Sequence, residues 1–227
     1  MSEAPVVVID YGMGNIHSIV KALRLFAPSV LFTDDPAEIA RARALVLPGD
    51  GAFPAAMHNL AGGLETEIRN YLARGGRMLG VCIGFQILFE DSDETIGLPQ
   101  ATRTSGGAPG GAQTLTRGLG LIPGRIRRFD FSAAAVAGQP GVRVPHMGWN
   151  RLLDPRTGAP GEHMYFIHSY RAEGVPDEFV VARCEYAGDV FPAVVRNAEG
   201  NVLAAQFHPE KSDRAGLKFI QDWVAGL

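Results

Sequence analysis

The stretch RMLGVCIGFQILFED, residues 77–91, decides how the chain reads. Its first five residues form an apolar run that reads as a buried strand. From Ile83 an apolar helix is expected to run to about Glu90, with Gln86 in its first turn. Between the two stands Cys82, one of only two cysteines, with glycines at 80 and 84. A sharp strand-to-helix turn lifts one side chain above the end of a sheet, and its crowded backbone calls for neighbours of minimal bulk. The thiol would sit at the amino end of a helix, where unpaired N–H groups and the dipole favour the thiolate. The corner therefore reads as a device that aims and activates a nucleophile, against the plainer alternative of a buried packing cysteine. Cys184, inside VVARCEY, lacks this setting and reads as packing.

Upstream, strand and helix alternate. VVVID (6–10) is a strand, and Ile16, Ile19, Val20, Leu23 and Phe26 recur at helical spacing. VLFT (30–33) is a second strand, Asp35-Pro36 opens a short helix, and ALVLPG (44–49) is a third strand. After a loop, LETEIRNYLARGG (64–76) reads as an amphipathic helix closed by glycine. This order predicts a parallel sheet with helices on both faces, and continuously apolar strands fit burial on both sides. Residues 99–117, rich in Gly, Ala, Thr and Ser, read as a mobile surface loop. Beyond them RIRRF, RVPHMGW, HMYFIHSYRAE, EFVVARCEY, VFPAVVRN and VLAAQFHPE read as strands, with NAEGN (197–201) as a hairpin turn. A final helix over 211–226 places Leu217, Ile220 and Val224 on one face. The expected fold class is α/β: a mixed, mostly parallel central sheet flanked by helices, with an antiparallel portion towards the C-terminus, in one domain over residues 1–227.

The net charge of −3 and the absence of a dense basic cluster give no nucleic-acid footprint. GRIRRF (124–129), the most basic short run, reads as a strand with Ile126 and Arg127 on opposite faces. No apolar run reaches the roughly 18 residues that span a bilayer, so no membrane association is expected. The N-terminus has no basic segment or cleavage site of a signal peptide, and a cytosolic protein is expected. Two cysteines are too few for a disulfide framework. With no Cys/His cluster at ligand spacing, neither a metal nor another cofactor is expected.

A cysteine nucleophile needs a base, and the base a third group to orient it. AAQFHPEKS (204–212) offers both. Pro209 ends the strand at His208, which puts the imidazole and Glu210 at the sheet rim, where loops gather. Taken singly, the two read as a surface histidine and a solvated acid. LPGDGAF (47–53) ends the third strand with small residues at 49 and 51. Backbone N–H groups there could lie beside Cys82 and, with the N–H of Ile83, form an oxyanion hole.

GVCIGFQ together with HPE resembles the class I, triad-type glutamine amidotransferases, which hydrolyse glutamine to glutamate and ammonia. DYGMGNIHSI (10–19), LPGDGAF, PHMGWN (145–150) and YFIHSY (165–170) are similar to the branch that serves imidazole glycerol phosphate synthesis in histidine biosynthesis. The resemblance spans nearly the whole chain. It implies a flavodoxin-like fold, attack by Cys82 on the glutamine carboxamide, proton transfer by His208 and orientation of His208 by Glu210. Gly51 and Gln86 would border bound glutamine, and Glu94, Ser169 and Tyr170 would hold its amino-acid end. The implied partner is a (β/α)8-barrel cyclase in a heterodimer, contacted through Asn15, Ser18, Met147, Trp149, Tyr165 and Lys211. The Met-Gly-Trp corner is a plausible hot spot, with buried core as the alternative for a lone Trp. Asp50 departs from the apolar residue usual between the two glycines, and residues 99–117 exceed the length that the resemblance calls for. YGMGN is too incomplete a glycine pattern for dinucleotide binding. Two other readings stay open: a catalytically silent binding partner, and a glutaminase serving another synthase, against which PHMGWN argues.

Overall fold

The computed structural model describes residues 4–14, 16–95, 115–131 and 142–227. The first half alternates: β1 (Val6–Ile9), α1 (Ile16–Leu23), β2 (Val30–Thr33), α2 (Pro36–Arg41), β3 (Ala44–Leu47), α3 (Phe53–Leu60), α4 (Leu64–Ala73), β4 (Met78–Val81) and α5 (Ile83–Gln86). The second half is mostly strand: β5 (Asp91–Ser92), β6 (Thr116–Arg117), β7 (Arg125–Arg128), β8 (His146–Leu153), β9 (Pro160–His168), β10 (Tyr170–Glu173), β11 (Val180–Tyr186), β12 (Asp189–Arg196) and β13 (Val202–Ala205), closed by α6 (Asp213–Ala225).

A nine-stranded sheet runs β2-β1-β3-β4-β13-β12-β11-β8-β9. The strands from β2 to β13 in that order are parallel, and those from β12 to β9 pair antiparallel. The expected α/β class and antiparallel portion are therefore present. A smaller four-stranded sheet runs β10-β7-β5-β6.

The parallel strands β1, β3 and β4 are buried on both faces, as their unbroken apolar runs require, while the edge strand β2 is only partly covered. Val7, Ile9, Leu45, Leu47 and Met78 pack with Ile39, Phe53, Leu60 and Ile68 of α2, α3 and α4. Val6, Val8, Val46, Leu79 and Val81 pack on the other face with Ile19 and Leu23 of α1 and Ile220 and Val224 of α6. Alternate residues of each strand thus serve opposite layers. Among the described residues no helix is long and apolar enough to cross a membrane.

Four elements differ from the sequence reading. The expected loop before α4 contains helix α3. Its N-cap Ala52 has no capping side chain; the N–H of Phe53 is instead taken by Glu94 Oε2 at 2.8 Å, from 41 residues away. The helix after Cys82 is one turn rather than two. The carbonyls of Ile87, Leu88 and Phe89 turn away to accept the N–H groups of Leu119, Leu121 and Gly120 at 2.7–3.0 Å. HMYFIHSYRAE is two strands, β9 and β10, in different sheets, with the chain crossing between them at Ser169. Of the loop expected over 99–117, Thr116 and Arg117 form β6 against β5, and 99–114 lie outside the described residues.

Candidate active site

The site gathers at the C-terminal ends of three adjacent parallel strands, β3, β4 and β13, where such sheets place their ligands. Cys82 follows β4 with φ 55° and ψ −104°, a strained conformation for a residue with a Cβ. It is held there by its own N–H donating to Ala205 O on β13 at 2.9 Å, and by its carbonyl accepting from Phe85 and Gln86. Both flanking glycines are explained by space. A Cβ on Gly80 would lie 2.5 Å from Gly84 O, and one on Gly84 would lie 1.8 Å from Leu47 O. The elbow can press against β3 and its own helix only if both positions lack a side chain. Because α5 is a single turn, its dipole is a weak source of activation.

The stronger source is His208. Its Nδ1 lies 2.8 Å from Glu210 Oε1, with both side chains 3% exposed. Burial works to lower its pKa, but hydrogen bonding and charge attraction from Cys82 and Glu210 outweigh this and push it up to about 10. Nε2 is buried without a well-formed hydrogen bond of its own, and Cys82 is the first of the two groups that raise the ring's pKa against its burial. Such a pair can keep its proton on nitrogen and leave sulfur as the nucleophile. The 209–211 turn is braced by Ser212, whose hydroxyl donates to His208 O at 2.6 Å and accepts the Tyr165 N–H at 2.9 Å.

A cavity of about 370 Å³ opens over these groups, lined by Cys82, His208, Gly51, Ile83, Gln86 and Glu94. Ser169, Tyr170 and Lys211 complete the sequence-predicted residues along its wall, and Arg128 and His168 join them. Gln86 is buried and donates to Tyr170 O at 3.1 Å and Gln206 Oε1 at 3.0 Å. Burial raises the Glu94 pKa, although its bond from Phe53 N–H opposes the rise. Gly51 has φ 106°. Asp50 is exposed at the cavity wall. Behind it Tyr11, buried, donates to Pro48 O and so pins the glycine loop. Its phenol pKa is raised, first by burial and then by Cys82 and Asp50. Tyr11, Arg128 and His168 are not among the sequence-predicted site residues, although DYGMGNIHSI, GRIRRF and YFIHSY contain them.

Of the positions assigned to a partner, Met147 and Trp149 stand on the outer face of β8, 50% and 54% exposed. Trp149 is therefore not core. Its ring meets that of Tyr165, directly across the strand pair, at 6.1 Å and 73°. Lys211 and Ser18 are half-buried, on the 209–211 turn and on α1 beside it. Asn15 lies outside the described residues. Cys184 is fully buried among aromatic side chains, as packing requires.

Comparison with known proteins identifies the family and the fold. The family model "Glutamine amidotransferase class-I" matches residues 7–225. The chain is 39% identical over 226 residues to "Imidazole glycerol phosphate synthase subunit HisH" of Natronomonas pharaonis, covering 97% of this chain and 94% of that one. It is 42% identical over 224 residues to the protein of the same name from Geobacillus kaustophilus, covering 96% and 94%. A solved "glutamine amidotransferase" superposes with TM-score 0.64 at 22% identity, covering 98% of this chain and 100% of that one. "PurLQS from Thermotoga maritima" gives TM-score 0.65 at 21% identity, covering 99% of each chain; both structures share the fold. The chain belongs to the class-I glutamine amidotransferase family, among the HisH subunits of imidazole glycerol phosphate synthase.

Proposed function

We propose that the chain, acting as one domain, hydrolyses glutamine to glutamate and ammonia and passes the ammonia to a (β/α)8-barrel cyclase. The observation that carries this is one imidazole, that of His208, bonded to a buried carboxylate on one side and electrostatically coupled to Cys82 on the other, inside a single cavity. The Cys82 sulfur attacks the side-chain carbonyl carbon of glutamine. The oxygen becomes an oxyanion, received by the N–H groups of Ile83 and Gly51. His208 gives its proton to the departing amine, which leaves as ammonia, and a thioester remains. Water, deprotonated by His208, then cleaves the thioester, releasing glutamate and restoring the Cys82 thiolate beside the protonated imidazole. Glu210 holds the imidazole in orientation and charge. Gln86, Glu94, Ser169 and Tyr170 receive the remainder of the substrate. Ser18, Met147, Trp149, Tyr165 and Lys211 face the cyclase, where the ammonia contributes to imidazole glycerol phosphate.

The test is synthesis by the reconstituted pair with either nitrogen source. Cys82→Ala is expected to lose glutamine-dependent synthesis and to keep synthesis from ammonium salt. Wild-type glutamate release should rise strongly when the cyclase and its nucleotide ligand are added. Survival of glutamine-dependent synthesis in Cys82→Ala would remove Cys82 from the mechanism, and equal rates with and without the cyclase would remove the partner.

A further inference from the structure

Two buried histidines lie between the exposed face of β8 and the cavity. His168 is 5% and His146 3% exposed, and the proposed reaction uses neither. Their hydrogen bonds form one directed chain. His168 Nδ1 lies 2.8 Å from Tyr170 O. A carbonyl only accepts, so Nδ1 carries the proton and Nε2 is left as an acceptor. His146 Nδ1 lies 3.0 Å from that Nε2 and must donate to it. The His146 Nε2 then accepts from Asn150 Nδ2 at 3.2 Å. The Asn150 amide is itself oriented, since its oxygen accepts the Arg151 N–H at 2.7 Å and its nitrogen donates to Glu185 O at 2.7 Å. Every donor has one acceptor only if both rings are neutral and protonated on Nδ1. Burial agrees, holding His146 at about 4 and His168 at about 3. The His146 ring stacks on Tyr186 and Phe166, with centroids 4.1 and 4.9 Å away, which resists its rotation.

The far end of the chain is where it bears on chemistry. Tyr170 O receives two buried donors, His168 Nδ1 and Gln86 Nε2. Ser169 and Tyr170 sit where the chain leaves the larger sheet for the smaller. Tyr170 opens the pairing of β10 with β7, opposite Arg128, and the Phe129 N–H donates to Ser169 O at 3.0 Å; the Tyr170 carbonyl itself is held by His168 and Gln86. We propose that His168, oriented by His146, is a positioning residue for glutamine: by fixing the Tyr170 carbonyl it holds the Ser169–Tyr170 crossing and the Gln86 amide in the geometry that receives the substrate. The β8 end of the chain, at Asn150, adjoins Trp149, so the same bonds tie the outer face of this strand to the cavity. This inference rests on the glutaminase reading.

The experiment contrasts two amide replacements in the complex with the cyclase. Asparagine places its NH2 where Nδ1 stands and can still donate to Tyr170 O; glutamine places its amide near Nε2 and cannot. His168→Gln is expected to raise KM for glutamine about tenfold, with a smaller change in kcat, which is what loss of one buried donor to the Tyr170 carbonyl amounts to. His168→Asn is expected to keep KM within about twofold of wild type. Alkylation of Cys82 by iodoacetamide should proceed at similar rates in both, while inactivation by a cysteine-directed glutamine analogue should need a higher concentration only in His168→Gln. Imidazole 15N spectra of the wild type should show both rings protonated on Nδ1. Equal KM values for the two variants, a raised KM in His168→Asn, or Nε2-protonated rings would overturn the assignment. A wild-type complex that releases no glutamate would instead overturn the glutaminase reading, and the 15N spectra would still report on the rings.

Discussion

Gly84→Ala tests whether the elbow needs its missing side chains. The added methyl carbon would lie 1.8 Å from Leu47 O and 2.8 Å from its carbonyl carbon, where real Cβ contacts essentially never fall below 3.0 Å. The clash is with backbone at the end of β3, so no rotamer relieves it. Either α5 or the strand end moves by about 1.2 Å or more. Both carry proposed chemistry: Cys82 and the Ile83 N–H on one side, and the glycine loop after Leu47 on the other. A misplacement near 1 Å costs on the order of 10²-fold in rate, so kcat/KM for glutamine should fall by about that factor. Overpacking of this kind costs about 1–3 kcal/mol, which lowers the thermal midpoint by roughly 5 °C in a chain of this size. The matched control is Gly62→Ala, where a Cβ meets nothing within 4 Å and both quantities should stay at wild-type values. The assay is glutamate release with the cyclase present, alongside a melting curve. A Gly84→Ala protein with wild-type turnover and an unshifted midpoint would show that the glycine does not set the corner.

Trp149→Ala should weaken binding to the cyclase by roughly 10- to 100-fold, as loss of a central aromatic contact does, while the melting midpoint barely moves because the ring is half-exposed; a titration that finds unchanged affinity would place the interface elsewhere. The pH dependence of stability should carry two limbs. The His208 pKa is raised from 6.5 to about 10, so its contribution is fully present below pH 6.5 and is lost as pH rises through 10. His208→Gln should flatten that alkaline limb in melting curves, and an unaltered limb would mean that the imidazolium is not held by its partners. His146 and His168 are depressed to about 4 and 3, so theirs is present above pH 6.5 and lost as pH falls through those values, an acid limb that His168→Asn should reduce.

What the sequence makes legible here is what neighbouring residues settle. The Gly-Val-Cys-Ile-Gly corner is a local steric demand, and the same five residues that announce it also produce it. His208 and Glu210 are two positions apart, with Pro209 between them opening a tight turn beyond the end of β13 at Ala205 rather than ending the strand itself, so their pairing is nearly contained in the motif. Their approach to Cys82 is a long-range matter that the sequence reading took from motif and resemblance. Helix α3 escapes local reading because its first N–H is satisfied by Glu94 from beyond β4 and α5. The division of HMYFIHSYRAE between two sheets is invisible for a similar reason: nothing in its apolar alternation marks Ser169, and the crossing is fixed by Phe129 and by the histidine chain from β8. Tyr11 reaches the glycine loop across 37 residues, a contact with no periodic trace.

Strand order then accounts for the division of labour within the cavity. β4 lies between β3 and β13, all three parallel, so the glycine loop, the elbow and the His-Pro-Glu turn must emerge side by side at one edge. That edge supplies the groups proposed to act on the reacting carboxamide. Glu94 follows β5 and Tyr170 opens β10, both in the smaller sheet, so the groups proposed for the amino-acid end come from a separately hydrogen-bonded layer. The Gln86 amide on Tyr170 O joins the two layers directly, with His168 holding the same carbonyl from the side of β9. Damage confined to the smaller sheet should therefore weaken glutamine binding before it slows the chemistry, while damage to the β3–β4–β13 edge should do the reverse; the Tyr170 carbonyl, and the Glu94 carboxylate that accepts the Phe53 N–H after the glycine loop, are points where a single loss reaches both.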